Sequence, residues 1–231
     1  MTRRRIHLMR HGSVDYFHAD GSPVHPHSVP LNEAGRQQAD AAGALFAECG
    51  VRFDRVIVSG LNRTVETASR VLAAARQPLP LEAQPALEEI RGGRLADIPP
   101  DEVEAAFLGA FRQGIESQRF LGGESIGELL DRTLPAFERI LARADWTTLL
   151  MVLHGGVNRA LLARAMTGTR GFFGRLEQLP ACINIIDVGA DPDDLVVRAV
   201  NLAPTQWLHQ HEQHTTMEKL LAQYLRLERS A

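Results

Sequence analysis

Two cysteines, Cys49 and Cys182, are the whole thiol content of this 231-residue chain. They have no metal-ligand spacing and cannot build a disulfide scaffold, which fits a reducing compartment and leaves both expected as core thiols. Charge of one sign is equally scarce. The 25 Lys and Arg are set against 28 Asp and Glu, for a formal net charge of −3, so nothing points to nucleic acid or to an acidic tail. No apolar run approaches the roughly 20 residues of a membrane span. The basic start Met1-Thr2-Arg3-Arg4-Arg5 imitates the opening of a signal peptide, but four residues separate it from Arg10, too few for an apolar core. The expectation is a cytoplasmic protein with neither a nucleic acid nor a membrane partner. With 45% hydrophobic residues, the chain can bury a sizeable core as a single domain over residues 1–231.

What is present is a repeated order of strand, loop and helix. The short run Ile6-His7-Leu8-Met9 ends in Arg10-His11-Gly12, placing that tripeptide at the carboxyl end of a strand, where open α/β sheets bind ligands. A helix is expected from Asn32, its cap, to about Glu48, with Ala39, Ala42, Leu45 and Phe46 buried and Gly50 past its end. Arg55 to Ser59 reads as a second buried strand. The helix after it carries Val65, Ala68, Leu72 and Ala75 on one face and Arg63 in its first turn. Residues 78 to 87 are punctuated by prolines. A helical stretch from Pro99 to about Gln118 follows, then a longer helix opened by Gly122-Gly123-Glu124-Ser125, which Pro135 should kink. Thr147 to Leu153 is the most hydrophobic strand and ends in His154-Gly155-Gly156, before a helix over Val157 to Met166. Two strands, Cys182 to Val188 and Leu195 to Val200, enclose a turn, and residues 205–229 read as one amphipathic helix whose Leu and Tyr face could pack on its own core or on a second copy. A homodimer is therefore open. Residues 91–125 read as an inserted helical cap.

The chemistry begins with His11. One imidazole nitrogen can attack an electrophile while the other is held by a hydrogen bond, and the Arg10 guanidinium can fork onto phosphate oxygens. Arg63 sits where helix N–H groups already favour an anion, and its strand end lies on the same side of the sheet as His11. Parallel strands would bring His154 to that edge as well. The loop of residues 13–30 is long enough to wall a site; its His18, His25 and His27, with His11 and Asp20, could be imagined as metal ligands, but such a loop fixes no spacing and no metal is expected. His209, His211 and His214 are expected in solvent. Glu88 and Glu89 stand beside the glycine turn Arg91-Gly92-Gly93.

Arg10-His11-Gly12, Pro30-Leu31 with Gly35 and Gln38, Ser59 with Leu61, Arg63, Thr67 and Ala68, Leu87 with Glu89, Gly122-Gly123-Glu124-Ser125, and His154-Gly155-Gly156 occur in this order. Together they resemble the histidine phosphatase superfamily, the phosphoglycerate mutase-like family. The resemblance spans residues 6 to about 165. It implies a three-layer α/β/α sandwich with a mainly parallel central sheet, and hydrolysis of a small phosphomonoester through phosphorylated His11 without a cofactor. Arg10, Arg63 and His154 would hold the equatorial phosphate oxygens, and Ser13 and Gly155 would line the phosphate site. Glu89 would act as general acid and then base; its choice over Glu88 rests on the resemblance alone. The alternatives are a phosphoglycerate-type mutase and a non-catalytic phospho-ligand binding module. Phe17 stands where the family often has an asparagine on phosphate, and Gly93-Arg94-Leu95-Ala96-Asp97 replaces the usual run after the glutamate.

Overall fold

The computed structural model describes residues 3–18, 22–208 and 213–228. Its elements run β1 (Arg4–Arg10), α1 (Glu33–Glu48), β2 (Arg55–Val58), α2 (Asn62–Ala74), β3 (Leu81–Ala83), α3 (Val103–Gln113), α4 (Ile126–Leu141), β4 (Thr148–Leu153), α5 (Gly155–Thr167), β5 (Ile183–Val188), β6 (Leu195–Leu202) and α6 (Thr216–Glu228). The strands form one sheet in the order β3-β2-β4-β1-β5-β6. The four on the β3 side are parallel, and β5 and β6 add antiparallel to β1. The sheet is thus mixed, parallel at its centre, in an α/β fold.

Side chains alternate across a strand, so each strand feeds two cores. Ile6, Leu8, Ile57, Leu149, Met151 and Leu153 pack on α4 and α5. Met9, Val56, Val58, Leu150 and Val152, from the intervening positions, pack on α1 and α2. Each fully buried Leu or Ile contributes roughly 1.5–3 kcal/mol, which explains why the apolar runs of β1 and β4 take the middle of the sheet. His7 shares the α1 face and meets Phe46 and Phe53 edge-on at 5.2 and 5.6 Å. A third, smaller core joins α3 to α6 through Val103, Phe107, Leu108, Leu121 and Leu221.

Several elements differ from their sequence reading. The sequence does not announce the short edge strand β3, which lies between Pro80 and Pro85. The helix expected to reach Gln118 stops at Gln113, where Gly114 takes a left-handed φ of 66° and ends it. α4 continues through Pro135 as one helix and starts in a capping box between Ser125 and Glu128. The tail helix begins only at Thr216, with Thr215 and Glu218 capping it reciprocally; His209 and His211 lie outside the described residues, as does Asp20. α2 buries Arg63, Thr64, Thr67, Ala68, Val71 and Leu72 and leaves Val65 only partly buried. Cys182 is a buried thiol as expected, whereas Cys49, one step past α1, is exposed. No described helix is long and apolar enough to cross a membrane.

Candidate active site

The register of the central strands determines which side chains meet. β1 and β4 pair Arg10 with Leu153, and the His11 amide donates to the Leu153 carbonyl at 3.0 Å, so the next residues, His11 and His154, emerge together. Their rings stand 5.3 Å apart, inclined at 64°. β2 pairs Val58 with Val152, so the β2–α2 turn, with Ser59 and Arg63, opens on the same edge. Glu89 arrives from the next strand outward, after β3 and a 3-10 turn over Pro85–Leu87.

Arg10, His11, Arg63 and His154 are all buried. His11 Nδ1 lies 2.7 Å from the Gly12 carbonyl. A carbonyl only accepts, so Nδ1 carries the proton and Nε2 keeps its lone pair. Burial, then the charges of Arg63 and Arg10, hold the His11 pKa well below the ordinary value, so the ring is neutral at neutral pH. His154 is depressed in the same way, by burial first and then by Arg63, His11 and Arg10. Its Nε2 meets the Ser59 hydroxyl at 2.8 Å.

The two arginines are partly anchored. Arg10 Nη1 donates to the Gln178 carbonyl at 2.5 Å and to Thr216 Oγ1 at 2.8 Å. One Nη1 of Arg63 donates to the Pro26 carbonyl at 2.8 Å, tying α2 to the His-rich loop. Yet Arg10 Nε, Arg63 Nε and His154 Nδ1 are buried without a partner in the protein. Buried polar groups are normally paired, and leaving one unpaired costs on the order of 1–3 kcal/mol. Three such nitrogens on three neighbouring residues suit an anion with several oxygens.

The Glu89 carboxylate accepts from the Gly156 amide with both oxygens at 3.1 Å and from the Ile90 amide at 3.0 Å. It therefore sits on the first turn of α5, where amides favour negative charge. Arg132 of α4 braces the segment behind it, donating to the carbonyls of Ala86, Glu88 and Glu89 while holding Glu124 with Nε and Nη2 at 2.7 Å. Glu88 instead pairs with Arg91 at 3.5 Å.

Of the remaining expected residues, Gly155 is the first residue of α5, and a Cβ there would stand 3.1 Å from Arg159 and 3.6 Å from Arg10 Nε. Ser13 is turned toward the cap of α1: its amide donates to Gln38 at 2.9 Å and its hydroxyl meets Asn32 at 3.4 Å. Gly12 and Gly35 let this loop touch α1, since a Cβ at Gly35 would lie 2.1 Å from the Ser13 carbonyl oxygen. Phe17 packs by Tyr224 of α6, with ring centres 6.3 Å apart. His25 and His27 are exposed neighbours, and no group of three or more His, Cys, Asp and Glu gathers as a metal cluster among the described residues. Sequence reasoning missed Arg132, Arg159, Glu177, Gln178 and Thr216. Arg159 left one signal, a charge in the otherwise apolar middle of α5; the others are joined to the site only by tertiary contacts.

Comparisons with known proteins identify the family. The profile of the histidine phosphatase superfamily (branch 1) matches residues 6–201, and the chain belongs to that superfamily. It is 30% identical over 185 residues to a metal-independent phosphoserine phosphatase of Arabidopsis thaliana, covering 78% of this chain and 75% of the relative. It is 34% identical over 139 residues to a 2,3-bisphosphoglycerate-dependent phosphoglycerate mutase of a Methylobacterium species, covering 57% of this chain and 66% of that one. The fold is similar to that of the alpha-ribazole phosphatase from Shigella flexneri, with a TM-score of 0.64 at 24% identity over 85% of this chain and 96% of that one.

Proposed function

We propose that the protein hydrolyses a small phosphorylated metabolite through a phosphohistidine on His11, without a metal. The observation that carries this reading is the meeting of a neutral histidine, its Nε2 lone pair held free, with three unpartnered buried nitrogens from Arg10, Arg63 and His154. His11 Nε2 attacks phosphorus, the bond to the leaving oxygen breaks, and Glu89 in its protonated form gives that oxygen a proton. Arg10, Arg63 and His154 oppose the charge spread over the equatorial oxygens. The single Ser59 proton can go to Nε2 of His154 at 2.8 Å or to Thr64 Oγ1 at 3.0 Å; when it goes to Nε2, the ring proton of His154 stands on Nδ1, where it can meet one of those oxygens. Water then attacks the phosphohistidine, Glu89 takes its proton, the P–N bond breaks and inorganic phosphate leaves.

Hydrolysis is favoured over a mutase reaction by the state of the surrounding cations. A mutase must hold the distal end of a doubly phosphorylated intermediate and exclude water. The arginines after Glu89 and in the 91–125 segment, which we take as a cap, are engaged by acids: Arg91 with Glu88, Arg94 with Asp97 at 3.9 Å and Arg112 with Glu104 at 3.3 Å. The relatives include proteins named for each activity. The test is an acid-lability assay on enzyme quenched during turnover. Wild type should carry an acid-labile phosphate, and His11→Ala should lack it, lose turnover and keep its melting temperature. Full activity in His11→Ala would end the proposal.

A further inference from the structure

The family match stops at residue 201, yet one of the two protein groups gripping Arg10 lies beyond it. Thr216 is the first residue of α6, and its hydroxyl sits between Arg10 Nη1 at 2.8 Å and Glu177 Oε1 at 2.7 Å. A hydroxyl has one proton and a guanidinium has only donors, so the directions are forced. Thr216 donates to the carboxylate and accepts from Arg10. Glu177 is fixed in turn by Arg159 Nη2 at 3.3 Å on its other oxygen. On the opposite side, Arg10 Nη1 meets the Gln178 carbonyl, and the Gln178 side chain is locked by Asn158 at 3.1 Å and Asn184 at 2.8 Å.

Nη1 is thereby engaged twice, while Nε is buried and unpartnered. A guanidinium recognises an oxyanion best along one edge, with two parallel N–H bonds. Anchoring Nη1 selects the Nε–Nη2 edge for that role. We propose that Thr216 is a positioning residue for Arg10, so that the C-terminal helix completes the phosphate clamp. α6 is seated for this by Leu221 in the core shared with α3, and by Tyr224 against Phe107 at 5.6 Å and Phe17 at 6.3 Å.

The inference rests on the phosphohydrolase reading, and its test keeps the two apart. Affinity for inorganic phosphate by calorimetry, and kcat/KM on 4-nitrophenyl phosphate, are measured for Thr216→Val, Thr216→Ser, Arg10→Ala and the Arg10→Ala/Thr216→Val double variant of the full chain. Thr216→Val keeps the shape and loses the acceptor, so phosphate should bind about tenfold more weakly, the scale of one hydrogen bond to a charged group. Thr216→Ser should recover to within about twofold on the same scale. In the Arg10→Ala background, Thr216→Val should cost nothing further, which a merely structural role for Thr216 would not produce. Wild-type phosphate affinity in Thr216→Val, or an equal loss with and without Arg10, overturns the proposal. Failure of the hydrolase reading would show separately, as full turnover in His11→Ala, and would leave the phosphate affinities readable.

Discussion

Gly156 offers a way to move the proposed acid without changing it. A Cβ at this position would stand 2.5 Å from Glu89 Oε1 and 3.3 Å from its Cδ. Restoring a contact of 3.4 Å displaces the carboxylate by about 0.9 Å, and misplacements on that scale can cost about 10²-fold in rate. The same substitution should help the fold. Gly156 lies in the first turn of α5 with no positive φ, the atom in the way is the end of a flexible side chain, and alanine in a helix is worth roughly 0.5–1 kcal/mol over glycine. Gly156→Ala should therefore melt no lower than wild type while losing about 10²-fold in kcat on an alkyl phosphate. On 4-nitrophenyl phosphate, whose leaving group needs little protonation, the phosphorylation step should lose far less. Single-turnover measurement of that step on both substrates, with Glu89→Gln run beside it, is the assay. Unchanged turnover of the alkyl phosphate in Gly156→Ala, or equal losses on both substrates in Glu89→Gln, would refute the assignment of Glu89 as a proton donor held by the α5 amide and bring Glu88 forward.

Acid should destabilise the fold from about pH 6.5 downward. Burial lowers the His7 pKa to about 4, so the unfolded chain takes up a proton that the folded one refuses; stability is complete above the unfolded value near 6.5 and falls toward pH 4 by up to about 3 kcal/mol. Urea midpoints across that range, flatter in His7→Leu than in wild type, are the check. Chelator should leave phosphate release unchanged, and strong inhibition would revive the His18, His25 and His27 loop as a metal site. With 3-phosphoglycerate and a trace of 2,3-bisphosphoglycerate, a coupled assay should find isomerisation slower than phosphate release from the best phosphoester; the reverse would favour the mutase.

The elements that the sequence announced clearly are those whose signals are local. β1 and β4 are apolar runs closed by His-Gly, α1 carries its own cap at Asn32, and α4 opens with Ser125 and Glu128 in capping-box spacing. β3 has three residues and its pairing with β2 is its only reason to be a strand. The tail helix starts eleven residues later than residue 205, because its apolar face, Met217, Leu220, Leu221, Tyr224 and Leu225, marks the helix and not its first turn, which the Thr215 hydroxyl and backbone set. Periodicity reports which face would be buried and says little about where the backbone finds its first unpaired amide.

The candidate site shows the same division at a finer scale. Arg10, His11, Arg63 and His154 lie next to strand ends or helix starts, so a reading of strand order is enough to bring them to one edge; Glu89 follows β3, which the sequence did not announce, and its choice rests on the family resemblance. What aims them is spread along the chain with no periodic trace: Arg132 behind the Glu89 backbone, Pro26 on Arg63, Gln178 and Thr216 on Arg10. These contacts cross at least 37 residues of sequence, and Pro26 and Gln178 act through a backbone carbonyl, which any residue could supply. A carbonyl leaves no mark on composition or spacing. Of the groups that hold the site's arginines, Thr216 contributes a side chain where Pro26 and Gln178 contribute carbonyls, so it is an anchor that a substitution can remove without moving the backbone.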